Sequence, residues 1–153
     1  MELVLKKLTE QIIGAAIDVH QELGPGLLES AYEECLCYEL SVRKLSFLRQ
    51  HSLPIRYKTV AIDCSYRFDL IVENLAVVEI KAVEELMKVH EAQLLSYLRL
   101  GSWPVGLIIN FNVARLIEGV IRRVGTKAHA FAPLRDLRDS VVNELSPTTP
   151  ITI

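Results

Sequence analysis

Two carboxylates and a lysine stand in the order Asp69, nine intervening residues, then Glu79-Ile80-Lys81. Carboxylates supply the hard oxygen ligands that Mg²⁺ accepts, and a bound divalent ion lowers the pKa of a water molecule and polarises a phosphoryl oxygen. A lysine beside such a pair orients or deprotonates the water, or stabilises developing negative charge. These residues therefore predict metal-assisted hydrolysis of a phosphodiester, provided that their side chains converge.

Convergence requires an antiparallel hairpin. Two apolar-rich runs, residues 66–72 and 76–81, flank a short polar break at 73–75. Because side chains alternate along a strand, a three-residue loop places Asp69 opposite Glu79 on one face. The other face then carries only apolar side chains: Phe68, Leu70, Val72, Ala76, Val78 and Ile80.

Opposed carboxylates need a counter-charge. Directly opposed Cβ atoms lie about 4.5–5.5 Å apart, and two unit charges at about 4 Å repel by about 4 kcal/mol at an effective dielectric constant of about 20. Mg²⁺ bound through both side chains would offset this repulsion. An arbitrary Glu-x-Lys is more often the polar face of a half-exposed strand. The opposed Asp69 shifts the balance towards a metal site but leaves both interpretations open.

Composition limits the class of protein. The chain has 153 residues, of which 50% are hydrophobic and 24% are charged, so we expect one globular domain with a substantial core. No apolar run reaches the length of a membrane span, and the first residues lack the layout of a signal peptide, which predicts a cytoplasmic protein. Three cysteines and four dispersed histidines make a zinc site improbable.

The charge balance excludes a protein that coats nucleic acid through bulk electrostatics. The formal net charge is −2 and the isoelectric point is about 6.1, whereas such proteins are strongly basic. Local phosphate contacts remain compatible with this total. A modest downstream cluster offers candidates for them: Arg115, Arg122, Arg123 and Lys127.

The elements that must position the site follow from hydrophobic periodicity. Apolar residues at steps of three and four predict a helix over 3–23, which the sequence Gly24-Pro25-Gly26 ends. The remaining predicted elements are a helix over 27–44, a strand-like stretch over 46–60, the hairpin, a helix over 84–100, a buried strand over 105–111 and a strand or irregular segment over 114–124. The order of the main elements is ααβββαβ. We expect residues 1–125 to form the domain and residues 126–153 to be an appendage with one short helix.

Two helices carry further candidates. On the second helix Glu29, Tyr32 and Glu33 share a face, so Glu29 either leans towards the hairpin or is a solvated glutamate of the first turn. On the later helix a polar stripe of His90, Gln93 and Tyr97 lies among leucines. Because buried polar groups need partners, this stripe either hydrogen-bonds within the core or faces the site and a phosphate or base.

The segment Gly26-Leu27-Leu28-Glu29-Ser30-Ala31-Tyr32 resembles the signature of the prokaryotic GxxExxY family, which belongs to the PD-(D/E)XK nuclease-like superfamily. The resemblance covers roughly residues 3–124. It continues through the segments 66–72, 78–83, 90–97 and 106–111. The proline that gives the superfamily motif its first letter is absent, since Phe68 precedes Asp69.

The resemblance implies a restriction-endonuclease-like α/β (α+β) core, in which helices flank a central mixed sheet. It also implies that Asp69 and Glu79 ligate the metal, that Lys81 is the lysine of the motif, and that Glu29 completes the site from the helix. Gln93 and Tyr97 match the Gln-x-x-x-Tyr element of exonuclease-type branches. We assign both, together with Tyr32, to substrate positioning.

The resulting hypothesis is a hydrolase that cleaves DNA or RNA. Asp69 and Glu79, with the Ile80 carbonyl, would hold Mg²⁺ or Mn²⁺, and Glu29 would bind the same ion or a second one. Nucleic acid is the expected partner, with DNA favoured over RNA and no membrane involved. The alternative is a nucleic-acid-binding or accessory subunit without turnover, and the sequence leaves open a homodimer or a larger nucleic-acid-processing complex.

Overall fold

The computed structural model describes residues 1–125 of the chain, apart from the side chains of residues 63–65. The elements are α1 (Glu2–Leu23), α2 (Glu29–Val42), β1 (Phe47–Tyr57), β2 (Val60–Val72), β3 (Ala76–Lys81), α3 (Lys88–Gly101), β4 (Val105–Asn110), a short 3-10 helix (Leu116–Gly119) and β5 (Val120–Val124). This succession confirms the predicted order ααβββαβ. The segment 114–124, which the sequence left open, contributes a fifth strand, and the predicted appendage at 126–153 lies outside the described residues.

The five strands form one sheet in the order β1-β2-β3-β4-β5. β3 and β4 are parallel, and every other neighbouring pair is antiparallel. A parallel pair needs a crossover connection, and α3 supplies it. The sheet is therefore mixed and flanked by helices, which confirms the predicted fold class.

β1 and β2 form a much longer hairpin than the sequence suggested. Tyr57 pairs with Val60 across a two-residue turn, and the ladder runs from there to Phe47 and Val72. β2 pairs with β3 only over 70–72. The sequence pattern predicted the second strand only from residue 66, because residues 58–65 lack a clear apolar alternation.

Helices cover both faces of the sheet. α1 and α2 pack on one face around buried side chains that include Leu36, Leu70 and Val78. α3 packs on the other face against Ile71, Val77 and Ile108. α3 lies so close to β4 that a Cβ at Gly106 would meet Leu94 Cδ1 at 2.7 Å, which explains why the apolar strand contains a glycine.

The helix boundaries follow from local chemistry. α1 ends where Gly24 and Gly26 adopt positive φ angles of 68° and 103°, a backbone region that favours glycine. α2 begins at Glu29 and not at residue 27, because Leu28 is extended. α3 begins at Lys88, four residues later than predicted, where Met87 N donates a hydrogen bond to His90 Nδ1 at 3.0 Å. None of the described helices combines the length and apolar content that a membrane crossing requires.

Candidate active site

The ladder between β1 and β2 is interrupted at the position of Asp69. Arg49 pairs with Leu70 and His51 with Phe68, but Gln50 and Asp69 between them do not pair, and Gln50 has a φ of 50°. Backbone strain of this kind gathers at functional sites. The interruption therefore marks Asp69 as a special position, whereas the register of the ladder shifts only further out, between Leu53 and Ile55.

The interruption also changes which way the neighbouring side chains point. Leu70 packs in the cluster beneath α1 and α2, whereas Phe68 packs in the cluster beneath α3. The prediction that Phe68 shares an apolar face with Leu70 was therefore wrong. Period-two alternation assumes a regular strand, and at Asp69 the alternation of side chains is interrupted although β2 continues.

Asp69 and Glu79 meet just beyond the last pair of the β2–β3 ladder, Leu70 and Val78. Asp69 Oδ2 accepts a hydrogen bond from Ile80 N at 2.7 Å. Glu79 Oε1 accepts a longer one from Asp69 N at 3.3 Å. Each carboxylate thus accepts a hydrogen bond from the backbone of the other strand, at the point where the β2–β3 ladder ends. The structure therefore brings the side chains of Asp69 and Glu79 together.

Burial makes the ionised carboxylates unfavourable. It is the largest cause that raises the pKa of Asp69, and the charge of Glu33 raises it further. Burial likewise raises the pKa of Glu79 to about 7. The hydrogen bond from Tyr66 lowers this pKa, whereas the charge of the neighbouring Asp69 raises it further. Lys81 lies near enough to lower both pKa values, but not enough to offset burial. The charge of Lys81 therefore does not fully compensate the carboxylates of Asp69 and Glu79.

Tyr66 is a site residue that the sequence analysis did not assign. Its hydroxyl donates a hydrogen bond to Glu79 Oε2, and its ring stacks on Tyr97 with 3.7 Å between the centroids. Burial is the main cause that raises the pKa of Tyr66 and keeps the hydroxyl protonated as a donor. The pair of tyrosines therefore forms one wall of the site and orients Glu79.

The polar stripe on α3 is divided between three roles. The His90 ring serves the start of α3, so it hydrogen-bonds locally and does not face the site. Tyr97 reaches Glu79 through Tyr66. Gln93, one turn before Tyr97, is exposed, which keeps it accessible to a ligand.

Lys81 ends β3 at the edge of the site and is half-buried. The backbone beyond it is held by Asn110, a buried residue at the end of β4. The Asn110 side chain accepts a hydrogen bond from Val83 N at 3.0 Å and donates one to Val83 O at 2.9 Å. Asn110 was not predicted, although a polar residue that closes an apolar strand was a usable signal, since buried amides need partners.

Glu33 is the acidic residue of α2 that the described hydrogen bonds link to Asp69. Glu33 is buried, and its Oε1 accepts a hydrogen bond from Gln50 Nε2 at 2.8 Å, while the same Gln50 nitrogen reaches Asp69 Oδ1 at 3.4 Å. Arg49 bonds to the other Glu33 oxygen at 2.8 Å. Gln50 thus bridges the carboxylates of Glu33 and Asp69.

Glu29 is not brought to this cluster. It is the exposed first residue of α2, and none of the hydrogen bonds between described residues involves its side chain. Glu33 follows one turn later on the same face, where the helix packs on the sheet. The structure therefore agrees with the alternative that the sequence left open, a solvated glutamate of the first turn. Whether Glu29 nevertheless serves the metal, as the resemblance implies, is decided by the substitution described below.

Tyr32 supports the turn that precedes α2. It is fully buried and stacks on Phe111 with 4.4 Å between the ring centroids. Its hydroxyl donates a hydrogen bond to Gly24 O at 2.6 Å and accepts one from Leu27 N at 3.1 Å. Nothing of the side chain is left to contact a substrate, so the assignment of Tyr32 to substrate positioning is corrected to a structural role.

Tyr32→Phe is expected to destabilise the fold. Removing the hydroxyl leaves Gly24 O and Leu27 N without their partner, which costs about 1–3 kcal/mol. Urea unfolding measures this loss. Tyr38→Phe is the matched control, because Tyr38 lies on the same helix and is 68% exposed. A normal stability with impaired substrate binding would instead support a positioning role for Tyr32.

Two members of the downstream basic cluster, Arg122 and Arg123, bond to other residues of the fold. Arg122 bonds to Thr9 at 3.0 Å and to Glu2 at 2.9 Å. Arg123 bonds to Glu91 at 2.6 Å. Arg115 is exposed, and Lys127 lies outside the described residues. Phosphate contacts from this cluster are therefore not favoured.

The donor set fits a hard divalent cation. Among the side chains of residues 1–62 and 66–125, no three His, Cys, Asp or Glu residues gather closely enough to hold a metal ion. Mg²⁺ does not need such a cage, since it is bound through one or two carboxylates with water and substrate phosphate in the remaining positions. Asp69 and Glu79 meet that requirement, and a cation there would supply the missing counter-charge.

Comparisons with known proteins assign the chain to a family. No curated protein and no solved structure matches the chain. A family model described as the PD-(D/E)XK nuclease superfamily matches residues 6–124, which include α2, the β2–β3 hairpin, α3 and β4. The chain therefore belongs to the PD-(D/E)XK nuclease superfamily.

Proposed function

We propose that this protein is a nuclease that hydrolyses phosphodiester bonds of DNA or RNA with the help of Mg²⁺ or Mn²⁺. Membership of the superfamily supports a nuclease-type activity. The observation that carries the proposal for this chain is the buried meeting of Asp69 and Glu79 beside Lys81. A fold gains nothing from two uncompensated carboxylates in that position, whereas a metal-dependent reaction requires them.

Each residue then has a defined task. Asp69 and Glu79 would hold the ion, which when bound supplies Lewis acidity and a more acidic water. Tyr66 holds the Glu79 carboxylate in place through its hydroxyl. Lys81 orients or deprotonates the attacking water, or stabilises the negative charge that develops on the phosphoryl oxygens. The Ile80 carbonyl is a further candidate ligand because it lies between Glu79 and Lys81.

The finer assignments are part of the same proposal. The Gly26, Glu29 and Tyr32 signature supports placement in the GxxExxY branch. Gln93 and Tyr97 would contact the substrate strand, since Gln93 is exposed and Tyr97 borders the site. DNA is favoured over RNA as the substrate.

A second function, nucleic-acid binding without turnover, has one observation in its favour. The oxygens of Asp69 and Glu79 already accept hydrogen bonds from Ile80, Asp69 and Tyr66 donors. A pair satisfied in this way could persist without metal as part of an accessory subunit. The raised pKa values argue against that, because the hydrogen bonds do not outweigh burial.

The experiment is a cleavage panel with the full chain. Single-stranded, duplex and branched DNA and RNA are incubated with Mg²⁺, Mn²⁺ or EDTA, and Asp69→Asn is purified and tested in parallel. We expect cutting of at least one substrate that depends on the divalent ion and on Asp69. Binding without cutting in every condition would reject the nuclease and support the accessory subunit.

Glutamine substitutions decide which helix acid serves the site. Glu33→Gln is expected to lower kcat by about tenfold or more, because Glu33 reaches Asp69 through Gln50. Glu29→Gln is expected to leave kcat unchanged, because Glu29 is exposed and outside this network. Steady-state cleavage of the best substrate measures both. The opposite ranking would restore Glu29 as the acid that completes the site.

A further inference from the structure

The long β1–β2 hairpin has an outer part that the catalytic site does not use. We define the arm as residues 52–67, from the pair Ser52 and Arg67 to the turn at 58–59. Over this length β2 has β1 as its neighbour but not β3, which pairs only with 70–72. The arm therefore extends as a two-stranded ribbon beyond the five-stranded part of the sheet.

The base of the arm is anchored at the site. Leu53 and Phe68 are buried beneath α3, and Tyr66 bonds to Glu79. The outer part is different, since Tyr57 and Val60 are 61% and 44% exposed. Val60 lies nine residues before Asp69 on one strand, which corresponds to about 30 Å at about 3.3 Å per residue.

The arm is basic although the whole chain is acidic. Residues 52–67 contain Arg56, Lys58 and Arg67 against one acid, Asp63. All three basic residues are exposed, and none of the ion pairs among the described side chains involves them. Lys58 lies 5.4 Å from the centroid of the exposed Tyr57 ring. A cation contacts the phosphates of a nucleic-acid strand, and an aromatic ring stacks on an accessible base, so the two together favour binding of such a strand.

We propose that the arm binds the nucleic-acid substrate at a distance from the bond that is cut. This inference rests on the proposed function, because the nucleic acid that reaches the tip of the arm is the same molecule that is held at Asp69 and Glu79. The tip would contact phosphates about nine steps from the site, at about 3.4 Å per base pair. The competing explanation is that exposed Arg and Lys merely protect a long hairpin from edge-to-edge association.

The test measures binding rather than cutting. The full chain carrying Lys81→Ala is titrated with fluorescently labelled single strands and duplexes of DNA and RNA, short and long relative to the reach of the arm, across a series of salt concentrations. The arm variant is Arg56→Gln with Lys58→Gln. The matched control is Lys6→Gln with Lys7→Gln on α1, which removes the same charge from an exposed part of another element.

We expect the arm variant to bind long ligands about tenfold more weakly. Two lost phosphate contacts should reduce the slope of log affinity against log salt by about 1.8 for a duplex and by about 1.4 for a single strand. The control pair should bind like its parent. Ligands too short to span the distance should not distinguish the arm variant from its parent. Melting temperatures of both variants should stay unchanged, because the substituted side chains are exposed.

Several results would overturn the inference. Equal losses in the arm and control variants would indicate bulk charge alone. A changed oligomeric state with unchanged nucleic-acid affinity would indicate that the arm contacts a second copy of the chain. Failure to bind any of the nucleic-acid ligands would also reject the inference. The readout is independent of turnover, so arm-dependent binding without cleavage would reject the proposed catalysis alone, and cleavage without an arm effect would reject this inference alone.

Discussion

Alanine at position 81 is expected to lower kcat for nucleic-acid cleavage by about a thousandfold, within the range of about 10²–10⁴ that a positioned proton-transfer group contributes. Lys81 ends β3 beside both carboxylates, and its charge lowers the pKa of Asp69 and of Glu79. Because Lys81 is not assigned as a metal ligand, stabilisation of the fold by Mg²⁺ or Mn²⁺ should persist in the variant. Single-turnover cleavage and metal-dependent unfolding, measured on the same preparation, separate the two effects.

The matched control for this change is Lys88→Ala. Lys88 is the exposed first residue of α3, outside the carboxylate pair, and its loss should leave cleavage unchanged. Full activity of Lys81→Ala would remove the lysine from the mechanism. Loss of metal stabilisation together with activity would assign Lys81 to the integrity of the site and not to the chemical step.

The second large effect is on the pH dependence of stability without metal. Burial raises the pKa of Glu79 from 4.5 to about 7, so the folded protein binds a proton that the unfolded chain releases. The stabilising contribution of this group is therefore fully present below about pH 4.5 and is lost as the pH rises through about 7. The difference corresponds to about 3 kcal/mol. Asp69 acts in the same direction, since its pKa is also raised.

Urea unfolding in EDTA at a series of pH values, for wild type and Glu79→Gln, isolates this contribution. His51 titrates in the opposite sense because burial lowers its pKa, but it is present in both proteins and cancels in the comparison. We expect the stability of wild type to fall by about 3 kcal/mol relative to the variant between pH 4.5 and pH 8. Parallel curves would mean that Glu79 is ionised without penalty and needs no cation.

Much of the site's framework could be predicted from the sequence because it depends on local pattern. The polar break at 73–75 between two apolar runs predicted the three-residue loop, and the pairs Ile71 with Val77 and Val72 with Ala76 confirm its register. The nearly unbroken apolar run at 105–111 predicted a strand covered on both faces, and β4 is buried throughout. Patterns of this kind are set by residues close together in the chain.

The parts that could not be predicted depend on contacts between distant residues. Gln50 on β1 and Asp69 on β2 lie opposite each other without pairing in the ladder, and no local pattern shows that the ladder is interrupted there. The bond from Tyr66 to Glu79 needs that interruption, since it turns Tyr66 and Phe68 towards α3. A sequence that suggests an ordinary strand therefore does not show that Tyr66 orients the Glu79 carboxylate.

The choice between Glu29 and Glu33 illustrates the same limit. Both lie on one face of α2, and the signature emphasises Glu29. Which of them reaches the sheet depends on where the helix begins and on how it packs against β1, and it is Glu33 that Arg49 and Gln50 contact. Helical periodicity gives the face but not the turn that meets a partner.

The most direct test of the account is the effect of a divalent ion on the free energy of unfolding of the full chain. With Mg²⁺ or Mn²⁺ at a hundred times its dissociation constant, wild type should gain about 2.7 kcal/mol over the protein in EDTA. Asp69→Asn keeps an oxygen that accepts the hydrogen bond from Ile80 N, so it should fold but gain nothing from the ion. Equal unfolding of wild type and Asp69→Asn, with and without metal, would contradict the claim that Asp69 and Glu79 form a metal-binding catalytic site.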